Sequence, residues 1–243
     1  MSFTAEVKDE LSRVDDAEFA SSVAELSAIM RVCGTLAFRG AGHYSVRIAT
    51  ETGSVARTAM RLVHHGLDLE TSLTVRRSVQ RKTHNYLIEI PDQELLAEAL
   101  VTLGIVAPGQ GLVRGVPESL LSAEGALEAF VRGAFMAGGF VADPRRDFHL
   151  EIAVSGEDFA NALCGLLERM GVRARLNHRR GSHAVYIKSF EGVRDLLRQM
   201  GAERSAIAVE RVRQLKSVKN DVNRRLNADL ANDLGNLLYR TVS

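Results

Sequence analysis

Apolar residues recur at helical spacing from Ala24 to Thr35, then alternate strictly from His43 to Glu51, where Tyr44, Val46 and Ile48 share one face. This pattern predicts a buried helix followed by a half-buried strand. Helical spacing returns with Val55, Ala59, Leu62 and Val63, so an amphipathic helix is expected over Ser54–Gly66, with Ser54 as its cap. Strands are expected at Leu69–Val75 and Asn85–Ile90, and a helix at Asp92–Leu103 closes the series.

The same order then recurs. Ala123–Gly138 reads as an apolar helix and Asp147–Val154 as an alternating strand. An amphipathic helix follows over Glu157–Met170, then a hairpin of Arg173–His178 and Ala184–Lys188 turning near Gly181, then a helix over Phe190–Met200. The two series are offset by about 105 residues, since Leu26 maps to Val131. A duplicated α+β architecture is therefore expected, with the two apolar helices packed at a pseudo-two-fold axis and a sheet curving to each side. The expected organisation is an N-terminal helical segment (1–22), a first half (23–104), a linker (105–122), a second half (123–201), and a basic C-terminal helix with a divergent tail (202–243). In the last segment Ala208, Val212, Leu215, Val218, Val222 and Leu226 make Ser205–Leu226 an amphipathic helix, expected to dock on the core.

Composition narrows the class. At 46% hydrophobic and 25% charged, 243 residues can bury a sizeable core. No apolar run is long enough to span a bilayer and the start is acidic rather than signal-like, so a cytoplasmic protein with no membrane partner is expected. Cys33 and Cys164 are too few for a disulfide framework or a structural zinc site. The histidines are scattered, and neither metal nor cofactor is expected.

The net charge of +1 hides an uneven distribution. Glu6, Asp9, Glu10, Asp15, Asp16, Glu18 and Glu25 make the start acidic, whereas Arg204, Arg211, Arg213, Lys216, Lys219, Arg224 and Arg225 make the end basic. Two basic knots lie between them: Arg76, Arg77, Arg81 and Lys82, then Arg173, Arg175, Arg179 and Arg180. Positive groups gathered on one face can bind a polyanion whatever the net charge. The same runs also fit a solvated surface.

The helices that open the two halves align over nine residues, Leu26-Ser27-Ala28-Ile29-Met30-Arg31-Val32-Cys33-Gly34 and Val131-Arg132-Gly133-Ala134-Phe135-Met136-Ala137-Gly138-Gly139. Both have a small third residue, which permits close helix approach, and a ninth-position glycine, expected to leave the helix through a left-handed turn. This frame resembles the duplicated signature helix of the LAGLIDADG homing endonucleases. In that family each helix delivers an acid at its eighth position to hold divalent metal. Here those positions are Cys33 and Gly138, the sixth positions are Arg31 and Met136, and Asp143 lies too far past the helix end to substitute. The resemblance therefore implies the endonuclease fold without catalytic residues, and no enzyme is expected.

A fuller resemblance is to the bacterial WhiA family, whose members carry a degenerate LAGLIDADG-like domain followed by a helix-turn-helix. It is carried by residues 2–13 (SFTAEVKDELSR), Leu112–Pro117, Arg132–Phe135, Gly139–Pro144 and Lys219–Arg225. It implies a non-catalytic, nucleoid-associated DNA-binding regulator of cell division, chromosome segregation or sporulation genes. A WhiB-like iron–sulfur regulator is the protein partner the resemblance implies. The chain reads on to Ser243 and is expected to lack the family's helix-turn-helix.

Without that domain, DNA contact is expected to be weak and dominated by phosphates. If the two sheets straddle a duplex, strand alternation turns Arg47, Arg76, Arg173 and Arg175 outward. Loop tips would add Arg77, Arg81, Lys82, Arg179 and Arg180, and the terminal helix Arg213, Lys216, Lys219, Arg224 and Arg225. Glu51, Glu89 and Glu151 fall on the same faces and could pair with these arginines instead. The alternative function is a protein-binding or ligand-binding module with no direct DNA contact.

Overall fold

The computed structural model describes residues 2–14, 18–38, 40, 42–78 and 83–241. The chain begins with helix α1 (Phe3–Leu11), and the first half follows as α2 (Phe19–Cys33), β1 (Gly34–Phe38), β2 (Tyr44–Thr50), α3 (Gly53–Leu67), β3 (Ser72–Ser78), β4 (Thr83–Ile90) and α4 (Leu96–Thr102). A small ribbon of β5 (Val106–Ala107) and β6 (Gly111–Leu112) forms the linker with a 3-10 turn at Glu118–Leu121. The second half repeats the order as α5 (Ala126–Gly138), β7 (Gly139–Val141), β8 (Leu150–Val154), α6 (Glu157–Arg169), β9 (Arg175–Arg179), β10 (Ser182–Ile187) and α7 (Phe190–Gln199). Helix α8 (Glu203–Thr241) ends the described chain.

Each half is an antiparallel four-stranded sheet, ordered β1-β2-β4-β3 and β7-β8-β10-β9. The pairing registers superimpose the halves: Gly34 pairs with Ile48 as Gly139 pairs with Ile152, and Leu73 pairs with Ile88 as Leu176 pairs with Val185. Duplication thus extends to strand register. The first strand of each sheet escapes the periodicity reading, because β1 and β7 leave α2 and α5 without an intervening loop and β7 is only three residues long.

Alternation along the strands gives each sheet one apolar face, covered by helices. In the first half Val46, Ile48, Ile88 and Ile90 pack under Ala59, Leu62 and Val63 of α3 and Leu96 and Leu100 of α4. In the second, Leu150, Ile152, Val154, Val185 and Ile187 pack with Phe159, Leu163 and Leu167 of α6 and Val193, Leu196 and Leu197 of α7. The α1 residues Val7 and Leu11 join that second core.

The halves meet along α2 and α5. The small residues at the third frame position act as expected, since a Cβ on Gly133 would collide with the Glu25 carbonyl oxygen and stand 3.1 Å from the Ala28 Cβ. Across the contact Arg132 Nη2 donates to Glu25 Oε2 at 2.9 Å and Nε to the same oxygen at 3.1 Å, with both side chains only 3% exposed. Arg132 Nη1 also donates to the Met200 carbonyl, tying the axis to the end of α7.

Three local expectations are corrected. Thr52, not Ser54, is the cap residue of α3, and Ser54 lies buried within its first turn. Gly34 and Gly139 leave their helices in extended conformations (φ −90° and −80°), so no left-handed turn is made there. A Cβ at either would strike the carbonyl oxygen of the preceding helical turn, which is the reason for glycine. Finally, α8 docks only as far as about Lys216, and not through the expected stripe: Ala206 and Val209 are buried, but Leu215, Val218, Val222 and Leu226 are 65%, 60%, 49% and 55% exposed. The apolar stripe that suggested docking projects beyond the body that could cover it.

Removing one partner of a buried ion pair strands the other charge. Glu25→Ala or Arg132→Ala is expected to lower the urea unfolding free energy by about 3–5 kcal/mol. Replacing the pair together by Leu and Met is expected to recover most of that loss.

Candidate nucleic-acid interface

The face of each sheet turned away from the helices is open. In the first half it presents Thr35, Ala37, Ser45, Arg47, Ala49, Glu89, Thr74 and Arg76, which share one face by register. In the second it presents Phe140, Glu151, Ala153, Tyr186, Arg175, Asn177 and Arg179. The superimposed registers put Arg76 and Arg179 at equivalent positions, followed by Arg77 and Arg180. Two arginines of each basic knot therefore occupy equivalent places in the two halves.

Several arginines are already engaged. Arg47 Nε donates to Glu89 Oε1 at 2.8 Å, and Arg179 grips Glu151 through Nη2 and Nη1 at 2.9 and 3.3 Å. Burial alone would raise the Glu151 carboxyl, but its bonds to Arg179 and His149 hold it below the usual carboxylate range. Around Glu151, His149 stands 6.0 Å from the Tyr186 ring and 6.4 Å from that of Phe140, and Lys188 Nζ lies 5.5 Å over Tyr186. Aromatic rings interleaved with cations can stack bases or a partner's side chains.

The other expected contacts scatter. Arg77 pairs with His84 within the sheet and falls on the face opposite to Arg76 rather than at a loop tip. Arg81 and Lys82 lie outside the described residues. Arg173 precedes β9 and is exposed, Arg175 and Arg179 lie within the strand, and Arg180 is in the hairpin turn. Arg213 and Lys216 fold back on the second half, over the rings of Phe190 and Phe148, and Lys216 donates to the Pro144 carbonyl at 2.9 Å. Lys219, Arg224 and Arg225 are exposed on the projecting part of α8. Sequence reasoning missed Phe140, His149, Tyr186 and Lys188. Tyr186 and Lys188 alternate in an expected strand and could have been found, but Phe140 needed the three-residue β7.

The helix ends themselves are closely packed. A Cβ on Gly138 would collide with the Ala153 carbonyl oxygen and stand 2.7 Å from Val32 Cγ1, so no carboxylate fits there without rearrangement. Cys33 Sγ donates to the Ile29 carbonyl at 3.3 Å, and burial pushes its thiol up to about 11. The nearly buried Lys8 of α1 is close enough for its charge to be felt at Cys33, and burial brings its ammonium down to about 8. Asp143 is held by Arg145 at 2.7 Å, which keeps its carboxyl down at about 2. A protonated thiol, a glycine and a lysine do not suit a hard divalent cation that needs oxygen ligands. Among the described residues no group of three His, Cys, Asp or Glu could hold a metal.

Two open antiparallel sheets hung on a pair of close-packed helices define a duplicated LAGLIDADG-like fold. Family models agree: residues 20–106 match the WhiA N-terminal LAGLIDADG-like domain, and residues 127–219 the WhiA LAGLIDADG-like domain. The probable cell division protein WhiA of Clostridium acetobutylicum is 34% identical over 236 residues, covering 96% of this chain and 74% of that protein. That of Desulfitobacterium hafniense strain Y51 is 37% identical over 234 residues, covering 96% and 73%. This chain belongs to the WhiA family. Its fold is shared with full-length DUF199/WhiA from Thermatoga maritima (TM-score 0.71, 21% identity, 96% of this chain and 74% of that one). It is also shared with the homing endonuclease I-DmoI in complex with DNA and Mn (TM-score 0.52, 15% identity, 75% and 97%). No helix among the described residues is long and apolar enough to cross a membrane.

Between about pH 8 and 10.5 the unfolded chain keeps the Lys8 proton that the folded chain has released, so this lysine makes stability rise with pH. Lys8→Met is expected to be more stable than the parent at pH 7, with the advantage shrinking through that window. Paired urea melts at each pH measure it.

Proposed function

We propose that this protein is a non-catalytic regulator of cell division, acting at the nucleoid in chromosome segregation or sporulation gene control, that contacts duplex DNA through the open faces of its two sheets. The observation that carries this reading is the equivalence of Arg76 and Arg179, which stand on the open faces of the two sheets in superimposed registers. A pseudo-symmetric pair of basic hairpins suits the two strands of a duplex. The fold is the one with which I-DmoI is found on DNA. The helix ends offer no oxygen pair for magnesium, so binding is proposed without cleavage.

The contacts are mostly to phosphate, with Arg47 and Arg179 held in reserve by Glu89 and Glu151. Those two ion pairs also favour a second reading, in which the exposed Phe140 and its aromatic neighbours dock a protein and the arginines are structural. Lys219, Arg224 and Arg225 on α8 can follow the backbone in the first reading and have no role in the second.

Duplex binding across a salt series distinguishes the two. Four neutralised phosphates predict a log–log slope of roughly −3.6. Arg76→Glu with Arg179→Glu is expected to weaken binding at least about tenfold at low salt and to flatten the slope, because fewer counterions are then released. Glu151→Gln, which frees Arg179, is expected to strengthen it. A flat slope in the parent, or affinity indifferent to these changes, would overturn DNA contact in favour of the protein-binding reading. Plasmid incubated with magnesium is expected to stay supercoiled.

A further inference from the structure

Helix α1 stands ahead of the first half, whereas the linker ahead of the second half holds no α-helix. Helix α1 packs against α3, α5, β7 and the start of α8, filling the groove beside the edge of the second sheet. Its Thr4 hydroxyl donates to the Val141 carbonyl at 2.8 Å and accepts from the Val141 amide at 3.1 Å, satisfying the outer edge of β7. Its Val7 and Leu11 share a core cluster with Val55 in the first turn of α3.

Superposition of the halves maps Val141 onto Leu36 of β1, and Val55 of α3 onto Phe159 of α6. Both mapped residues line a groove with a volume of about 450 Å³, together with Met30, Arg31, Val113 and Arg114. Among the described residues no side chain bonds the Leu36 backbone, and no helix enters the groove. The groove lies at the junction of the two halves, where binding sites concentrate.

Its lining carries two arginines, Arg31 and Arg114, and two carboxylates, Glu157 and Asp158, but Arg31 is not paired with either of them. Arg31 donates to Ser27 Oγ, the Val113 carbonyl and the Gly104 carbonyl at 3.3, 3.1 and 2.6 Å, all of them neutral acceptors. Among the described residues it has no carboxylate within ion-pair distance, and burial brings its guanidinium down to about 10. Arg114 lines the groove as well. Glu157 and Asp158 border the groove too, but at the first turn of α6, where the helix's own amides favour negative charge.

We propose that this groove receives an amphipathic helix from a partner protein, docked as α1 docks in the other half and bearing a carboxylate toward Arg31 and Arg114. A hydroxyl residue in that helix would serve Leu36 as Thr4 serves Val141. Large apolar residues at helical spacing would meet Met30 and Phe159.

The probe is a fluorescein-labelled peptide of residues 2–13, which carries the required hydroxyl, apolar and acidic residues. Tethering keeps the resident α1 in its own groove at high effective concentration, so the free peptide reports the open one. Saturable binding to the full chain is expected by anisotropy. Gly156→Trp should weaken it about tenfold, as truncating or blocking a central contact does. Gly156 has an ordinary φ of −105° and an added Cβ there meets nothing within 4 Å, so this variant fills the groove without backbone strain. Arg31→Met, which installs the residue of the equivalent position 136, should weaken binding and flatten its salt dependence. A peptide with Val7→Asp and Leu11→Asp should not bind. Absence of saturable binding, or binding unchanged by Gly156→Trp, would overturn the proposal. So would a groove that takes decanoate but no peptide, which would mark it as a site for a small amphipathic anion.

Discussion

The structure turns on the closeness with which α2 and α5 pass each other. Gly133 lets the backbones touch, and the buried Glu25–Arg132 pair then spans the contact in one register. An ion pair withdrawn from water is a poor source of net stability but costs a great deal when mismatched, so it selects one docking of the halves over its neighbours. Each half has its own core, and the relative placement of the two open sheets follows from this one crossing. The equivalence of Arg76 with Arg179 has spatial meaning only because that crossing is fixed.

The same closeness decides the chemistry at the helix ends. Gly138 sits against Ala153 and Val32 with no room for a side chain, and the first helix offers a thiol beside a buried lysine. Among the described residues a divalent ion there would meet the Lys8 ammonium and no group of carboxylates. The helix ends thus bring no pair of carboxylates together among the described residues.

Helix α1 breaks the symmetry. Its Glu10 accepts from the Arg204 and Ser205 amides at 2.7 and 3.1 Å and from the Ser205 hydroxyl at 2.6 Å, capping α8 from outside its own sequence neighbourhood. The acidic start thus meets the first turn of the C-terminal helix at Glu10. By filling one groove and leaving its counterpart open, α1 also converts an internal repeat into an asymmetric surface.

Periodicity along the chain was enough to establish the duplication, the helix pair and the face assignments of the long strands. Those depend on local properties, including the volume of single residues such as Ala28 and Gly133. The buried pair Glu25–Arg132 was not legible, because its members are 107 residues apart and each reads as an ordinary surface charge. Strands β1 and β7 were hidden because a strand continuing directly from a helix, over as few as three residues, has no period of its own. Arg77 was expected at a loop tip, but the length of the β3–β4 hairpin is set by pairing with His84, not by composition. Whether Arg47 and Arg179 stand free or are held by Glu89 and Glu151 depends on which strands become neighbours, and whether the stripe of α8 is covered depends on how far the body extends. Both are matters of long-range geometry, settled by the folding of the two halves onto one another and invisible in any local stretch of chain.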